Sequence, residues 1–188
     1  MKWEKYTLIT VEDYLEAEQR SEVRHEYLYG TIHAMAGGSK RHNAICGQIY
    51  RLVVGRLGRG PCRVYIADVK VRVRTRLGEI FYYPDVMVGC DPTDRHEFYL
   101  ERPSILFEVT SPSTELTDRR EKLTAYQSLA SLGHYVIVSQ DARSVEWFRR
   151  VEDGWERFVL KAAQDRIEFG EVEVTMSLEE IYEGIDFV

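Results

Sequence analysis

Ser104-Ile105-Leu106-Phe107-Glu108-Val109-Thr110 is the stretch on which the fold turns. Ile105, Leu106, Phe107 and Val109 form an almost unbroken apolar run, which predicts a central strand covered on both faces rather than a half-exposed one. Glu108 interrupts it. Burying a lone ionised carboxylate costs several kcal/mol, roughly, so Glu108 needs a cationic partner, a bound metal or a raised pKa. A structural ion pair with one of the arginines would meet that need as well as a metal would.

Upstream, Ile80-Phe81-Tyr82-Tyr83-Pro84-Asp85-Val86-Met87-Val88 reads as a second strand broken at Pro84. Proline removes a ladder hydrogen bond, so it belongs at an edge, bulge or kink, and irregularities of this kind re-aim the next side chain. Here that side chain is Asp85, although the same residue could simply cap a turn. Further back, Arg63 to Thr75 alternates as one half-exposed strand, with Val69, Val71 and Val73 on one face and Asp68, Lys70, Arg72 and Arg74 on the other. A helix capped by Ser39 runs to about Leu57, with Ile45, Ile49, Leu52 and Val53 on its apolar face. His42 falls in its first turn, where it could meet a phosphate or only solvent, and it is not placed in the site. His25 to Met35 predicts a hairpin turning at Tyr29-Gly30, with Glu26 near its start, after a short helix from Val11 to Gln19.

Downstream of the central strand, a helix is expected from Thr117 to Leu132, carrying Lys122 and, one turn on, Tyr126, with Gly133 as its stop. Tyr135 to Val138 predicts a buried strand. Ser144 to Val151 and Trp155 to Leu160 predict a hairpin around Glu152-Asp153-Gly154, and Val172 to Thr175 a last strand before a terminal helix opened by Ser177-Leu178-Glu179-Glu180. Trp3, Trp147 and Trp155 are assigned to core or interface. This order gives a mixed α/β arrangement around one sheet.

Length and composition narrow the class. A chain of 188 residues suffices for one domain, 1–188, and 44% hydrophobic with 30% charged residues is the balance of an ordinary soluble protein. Cys46, Cys62 and Cys90 are odd in number and far apart, without CxxC or zinc spacing, which predicts reduced thiols, no structural zinc and a cytoplasmic location. The N-terminus lacks an apolar signal core, and no stretch is long enough to cross a bilayer. The net charge of -6 argues against a protein that coats itself with nucleic acid, but Arg51 to Arg76 holds eight cations against Asp68 alone. Screening acts over roughly 8–10 Å, so a local basic face could still bind phosphates; the alternative is an ordinary solvated face.

Two carboxylates on neighbouring strands, Asp85 and Glu108, can share a hard cation such as Mg²⁺, and a lysine beside them can hold the charge of a phosphoryl transition state. Pro84-Asp85 followed by Glu108-Val109-Thr110 resembles the PD-(D/E)XK nuclease signature. The wider set is similar to the Uma-type endonucleases, a bacterial family first known as a domain of unknown function. That set comprises His25-Glu26-Tyr27 with Gly30, Ser39 to His42, Tyr83 to Val86, Phe107 to Val109 with Ser111-Pro112-Ser113, Asp118 to Lys122 with Tyr126, and His134 to Ile137. The resemblance implies a restriction-endonuclease-like α/β core, a mixed central β-sheet flanked by helices, with an added β-hairpin. It also implies DNA as substrate and a Mg²⁺-dependent phosphodiesterase centre in which Mn²⁺ substitutes. Asp85 and Glu108 become metal ligands and Glu26 a further ligand or an acceptor for metal-bound water. The signature wants lysine two residues after Glu108, where this chain has Thr110; the resemblance points to Lys122 as the migrated base, with Lys70 the second candidate. By analogy with such folds a homodimer is expected, the Ser144 to Leu160 hairpin offering an apolar ribbon. The other class of function is a catalytically degenerate nuclease-fold module that binds nucleic acid or a protein partner without turnover.

Overall fold

The computed structural model describes residues 8–110 and 118–187. Trp3 and the Ser111-Pro112-Ser113 segment lie outside these residues. In chain order the strands are β1 (His25–Leu28), β2 (Thr31–Ala34), β3 (Arg63–Ile66), β4 (Lys70–Thr75), β5 (Gly78–Tyr82), β6 (Val86–Gly89), β7 (Tyr99–Leu100), β8 (Pro103–Thr110), β9 (His134–Ser139), β10 (Val145–Val151), β11 (Gly154–Leu160), β12 (Arg166–Phe169) and β13 (Val174–Ser177). Helices α1 (Val11–Arg20) and α2 (Lys40–Arg56) precede β1 and β3 respectively.

The strands do not form one sheet. They divide into a six-stranded sheet ordered β11-β10-β9-β8-β6-β3, a five-stranded sheet ordered β2-β1-β5-β4-β7, and the ribbon β12-β13. The Ser104 to Thr110 stretch is central as expected: β8 runs antiparallel to β6 and parallel to β9. One face of this sheet, through Ile105, Phe107 and Val109, packs on Ile45, Ile49 and Val53 of α2 and on Phe169 and Met176 of the ribbon. The opposite face, through Leu106, Met87 and Ile137, packs on Val71, Ile80 and Tyr82 of the five-stranded sheet and on Tyr126. Both faces are dry, which is why the run lacks alternation.

Two strands expected to be continuous change sheet instead. The Arg63 to Thr75 pattern breaks at Ala67 and Asp68, whose φ values are 47° and 51°, so β3 belongs to the six-stranded sheet and β4 to the other. The Ile80 to Val88 pattern breaks at Tyr83-Pro84-Asp85, with β5 and β6 divided in the same way. The Ala67 amide donates to the Asp85 carbonyl at 3.1 Å, locking the two corners together. A corner between packed sheets leaves its side chains at a rim rather than within a face, and this is where Asp85 stands.

Other departures have local causes. The helix expected from Thr117 to Leu132 is a π turn over Asp118–Lys122 continued by an α-helix over Leu123–Gln127. The Arg150 guanidinium takes the carbonyls of Gln127, Leu129 and Leu132, satisfying acceptors that a longer helix would have used internally. β12 was not anticipated. Cys62 and Cys90 form a disulfide: β3 and β6 pair Arg63 with Gly89, which sets the two cysteines opposite each other despite their 28-residue separation. Reduced thiols were the wrong expectation, and cysteine spacing carries no inference about compartment. No helix among the described residues is long and apolar enough to cross a membrane. Trp147 is buried in the core beside α2, whereas Trp155 packs at the edge of the opposite core under Arg150.

Candidate active site

Two polar clusters meet at the carboxyl end of β8. In the first, Glu108 is buried at 4% exposure. Its Oε1 accepts hydrogen bonds from Tyr126 OH at 2.8 Å and Lys122 Nζ at 3.2 Å. Lys122 also reaches Glu26 Oε1 at 3.1 Å and lies 5.3 Å from the centre of the Tyr82 ring. β8 carries Glu108, β1 carries Glu26, and the π turn carries Lys122, so three elements distant in sequence place two carboxylates on one ammonium. A π turn widens the helix by a residue and is often found at functional sites. Burial, followed by the Glu108 charge, drives the Tyr126 hydroxyl well above its ordinary value, so Tyr126 stays protonated as a donor.

In the second cluster, Asp85 Oδ2 accepts the Val109 amide at 2.6 Å and Oδ1 meets His42 Nε2 at 3.2 Å. The β6–β8 register pairs Val86 with Phe107, which brings Asp85, the residue before β6, to the Glu108–Val109 end of β8. The Cys46 thiol is pushed up by burial and then by the charges of Asp85 and Glu108 together, which is consistent with their nearness.

His42 is the residue sequence reasoning left out. Ser39 caps α2 by accepting the His42 amide at 3.0 Å, which fixes the histidine in the first turn, directed at the sheet corner. Its Nδ1 faces Cys46 Sγ at 3.7 Å. A neutral ring with its proton on Nε2 satisfies both contacts, accepting from the Cys46 thiol and donating to Asp85. The signal available in the sequence was the i, i+4 spacing of His42 and Cys46 on a helix whose apolar face Cys46 shares.

His42, Cys46 and Asp85 offer ligand atoms within 4.8 Å of one another. Cys46 lies against Nδ1 and Asp85 against Nε2 of the same ring, and this mixed nitrogen, sulfur and oxygen set suits a softer divalent ion better than a hard one. A hard cation such as Mg²⁺ takes oxygen ligands, which the carboxylates of Asp85 and Glu108 can supply.

Lys70 is elsewhere. It is buried at 6% exposure, not on a polar face, and donates to Tyr83 OH at 3.3 Å. Tyr83 in turn donates to Glu18 Oε1 at 2.8 Å, and Glu18 meets His25 Nδ1 at 3.1 Å. Burial lowers the Lys70 pKa, opposed by the Glu18 charge. This network anchors α1 to the Tyr83 corner, and Glu18 was not anticipated. Much of the basic face is already engaged: Arg51 pairs with Glu183, Arg56 with Glu180, and Arg72 and Arg74 with Glu101, while Arg63 binds the carbonyls of Gly60 and Cys62.

Comparison with known proteins agrees with this arrangement. A crystal structure described as "a putative nuclease belonging to DUF820", from Anabaena variabilis, superposes with a TM-score of 0.75 over 93% of this chain and 97% of that one, at 17% identity, and so shares the fold. Two uncharacterized proteins of Synechocystis are similar in sequence. The first, slr1290, is 33% identical over 180 residues, covering 95% of this chain and 94% of its own length. The second, sll1609, is 28% identical over 166 residues, covering 86% and 93%. Residues 11–178 match the Uma2 family, whose description is "Putative restriction endonuclease", and the chain belongs to that family.

Proposed function

We propose that the chain is an endonuclease that hydrolyses DNA phosphodiester bonds, with Asp85 and Glu108 as the ligands of a divalent cation, Mg²⁺ first and Mn²⁺ as substitute. Such an ion, when bound, lowers the pKa of a water and offsets charge on a phosphoryl oxygen. The observation that carries the reading is the convergence of Glu26 and Glu108 on Lys122, with Asp85 held by the amide of Val109, the residue after Glu108.

Each residue then has a part. Val109 N–H and His42 aim the Asp85 carboxylate, one donor per oxygen. Tyr126 and Lys122 hold Glu108. Lys122 brings the positive charge that a pentavalent phosphorus needs, and Glu26 steadies it from the far side. Cutting both strands of a duplex would call for a second copy of the chain; the edge strand β11 leaves Val159 half exposed for such a contact.

A second reading has its own observation: Thr110 stands where the signature has lysine, and Lys122 is already engaged by two carboxylates. On that reading the chain binds nucleic acid without turnover. DNA binding and cleavage measured side by side across a salt series separate the two. Binding that weakens with salt, accompanied by Mg²⁺-dependent cleavage, supports the enzyme. The same salt-sensitive binding without cleavage supports the binding module.

A further inference from the structure

Beside the proposed centre lies a cleft of about 570 Å³. Leu28, Ile80, Tyr82 and Ala125 give it an apolar floor, and Tyr29 and Leu77 stand on its rim. Leu77 is 82% exposed and Tyr29 38%. Apolar side chains left in water around a concavity mark a surface that something covers.

Tyr29 is held there against its backbone preference. Its φ is 51°, in the left-handed region that glycine or asparagine occupies more readily. Gly78 makes room: a Cβ at that residue would stand 3.3 Å from Tyr29 Cδ1.

Charge distinguishes among occupants. The cations at positions 51, 56, 72 and 74 are matched by carboxylates, but Arg76, in the β4–β5 turn, and Arg120, on the π turn, both line the cleft and have no carboxylate partner among the described residues. Glu121 is the acid on the lining, adjacent to Lys122. Tyr82 is common to the cleft and the proposed centre, since Lys122 Nζ lies over its ring. An apolar cleft that carries two unmatched guanidiniums suits a nucleobase with its neighbouring phosphates.

We infer that the cleft is a base subsite for the DNA strand held at the centre. It takes one unstacked base against Tyr29 and Leu77, and Arg76 and Arg120 hold the flanking phosphates. This rests on the DNA reading above and adds to it a single-stranded or locally opened substrate.

The test uses the full chain and a fluorescein-labelled oligothymidylate, read by anisotropy in EDTA across a salt series, with circular dichroism to confirm folding. Tyr29→Ala is expected to weaken binding by about tenfold or more, while Tyr29→Phe, which keeps the ring, binds as the wild type. Arg76→Ala combined with Arg120→Ala is expected to reduce the slope of log K against log salt by about 1.4, from roughly 0.7 per phosphate contact on a single strand. Wild-type binding with all variants unchanged would overturn the subsite and leave the DNA reading standing. A wild type that binds no DNA would overturn both.

Discussion

Replacing Lys122 with methionine keeps the length and apolar stem of the side chain and removes its charge. Nζ lies 3.1 Å from Glu26 Oε1 and 3.2 Å from Glu108 Oε1, so the two carboxylate oxygens can be no further apart than the sum of those distances. At about 6 Å and an effective dielectric near 20, two like charges repel by about 3 kcal/mol. Breaking a buried ion pair from one side costs about 3–5 kcal/mol, so the two routes agree. Lys122→Met in EDTA is therefore expected to lose about 3–5 kcal/mol in a urea titration followed by circular dichroism at neutral pH. For a chain of this size that corresponds to a fall in Tm of about 6–20 °C. Added Mg²⁺ should restore part of the loss, because a cation bound by Glu108 relieves the same repulsion; sodium chloride at matched ionic strength should restore little. A variant within about 1 kcal/mol of the wild type in EDTA would refute the electrostatic reasoning. A large loss that Mg²⁺ does not touch would leave Lys122 as the partner of a structural ion pair.

Three further perturbations follow from named contacts. His42→Ala removes a donor from the Asp85 carboxylate and is expected to weaken Mn²⁺ binding, measured by calorimetry, by about 10–100-fold, with His42→Gln recovering much of it through its amide. Ser177→Ala removes the cap of the terminal helix, where Ser177 and Glu180 form a capping box, and should cost about 1 kcal/mol, or about 2–4 °C in Tm. Hydrogen bonds from the Ser177 backbone, then the Arg56 guanidinium, hold the Glu180 carboxyl at about 2. A depressed folded-state pKa gives stability that is present above the unfolded value and lost as pH falls through the folded one. The deficit of Glu180→Gln relative to wild type should thus be complete above about pH 4.5 and vanish near pH 2, as read by denaturant titration at each pH.

What could be read from the chain follows the reach of each signal. The β8 strand was legible because burial on both faces writes a continuous apolar run, and Glu108 stood out against it. The hairpins at Gly30 and Gly154 and the caps at Ser39 and Ser177 were legible because their chemistry is local. Sheet switching was not. Ala67 and Asp68 adopt positive φ without glycine, and the alternation of Arg63 to Thr75 runs straight through the break, so the pattern concealed that Lys70 turns inward. β12 was hidden because Ile167 and Phe169 offer only two buried positions on a four-residue strand. The Cys62–Cys90 bond depends on the pairing of two strands, a long-range fact that spacing does not encode.

The candidate site divides along the same line. Lys122 and Glu26 came from resemblance, because nothing local tells a reader that a helix residue and a hairpin residue share one strand end. His42 looked like a surface residue of a first turn; only the Tyr83-Pro84-Asp85 corner, brought beneath that turn by the change of sheet, gives it a partner. The local cationic excess was real in the sequence, but Glu79, Glu101, Glu180 and Glu183 lie far enough away in the chain to be missed as its counterions.

The most direct measurement is relaxation of supercoiled plasmid in Mg²⁺ by the wild type, Glu108→Gln and Lys122→Met at matched concentration, with EDTA as control and folding checked for each. A metal-dependent endonuclease centred on these residues predicts nicking by the wild type that EDTA abolishes, and no nicking by either folded variant. Nicking that persists in folded Glu108→Gln, or a wild type that binds the plasmid and never cuts it, would contradict the assignment.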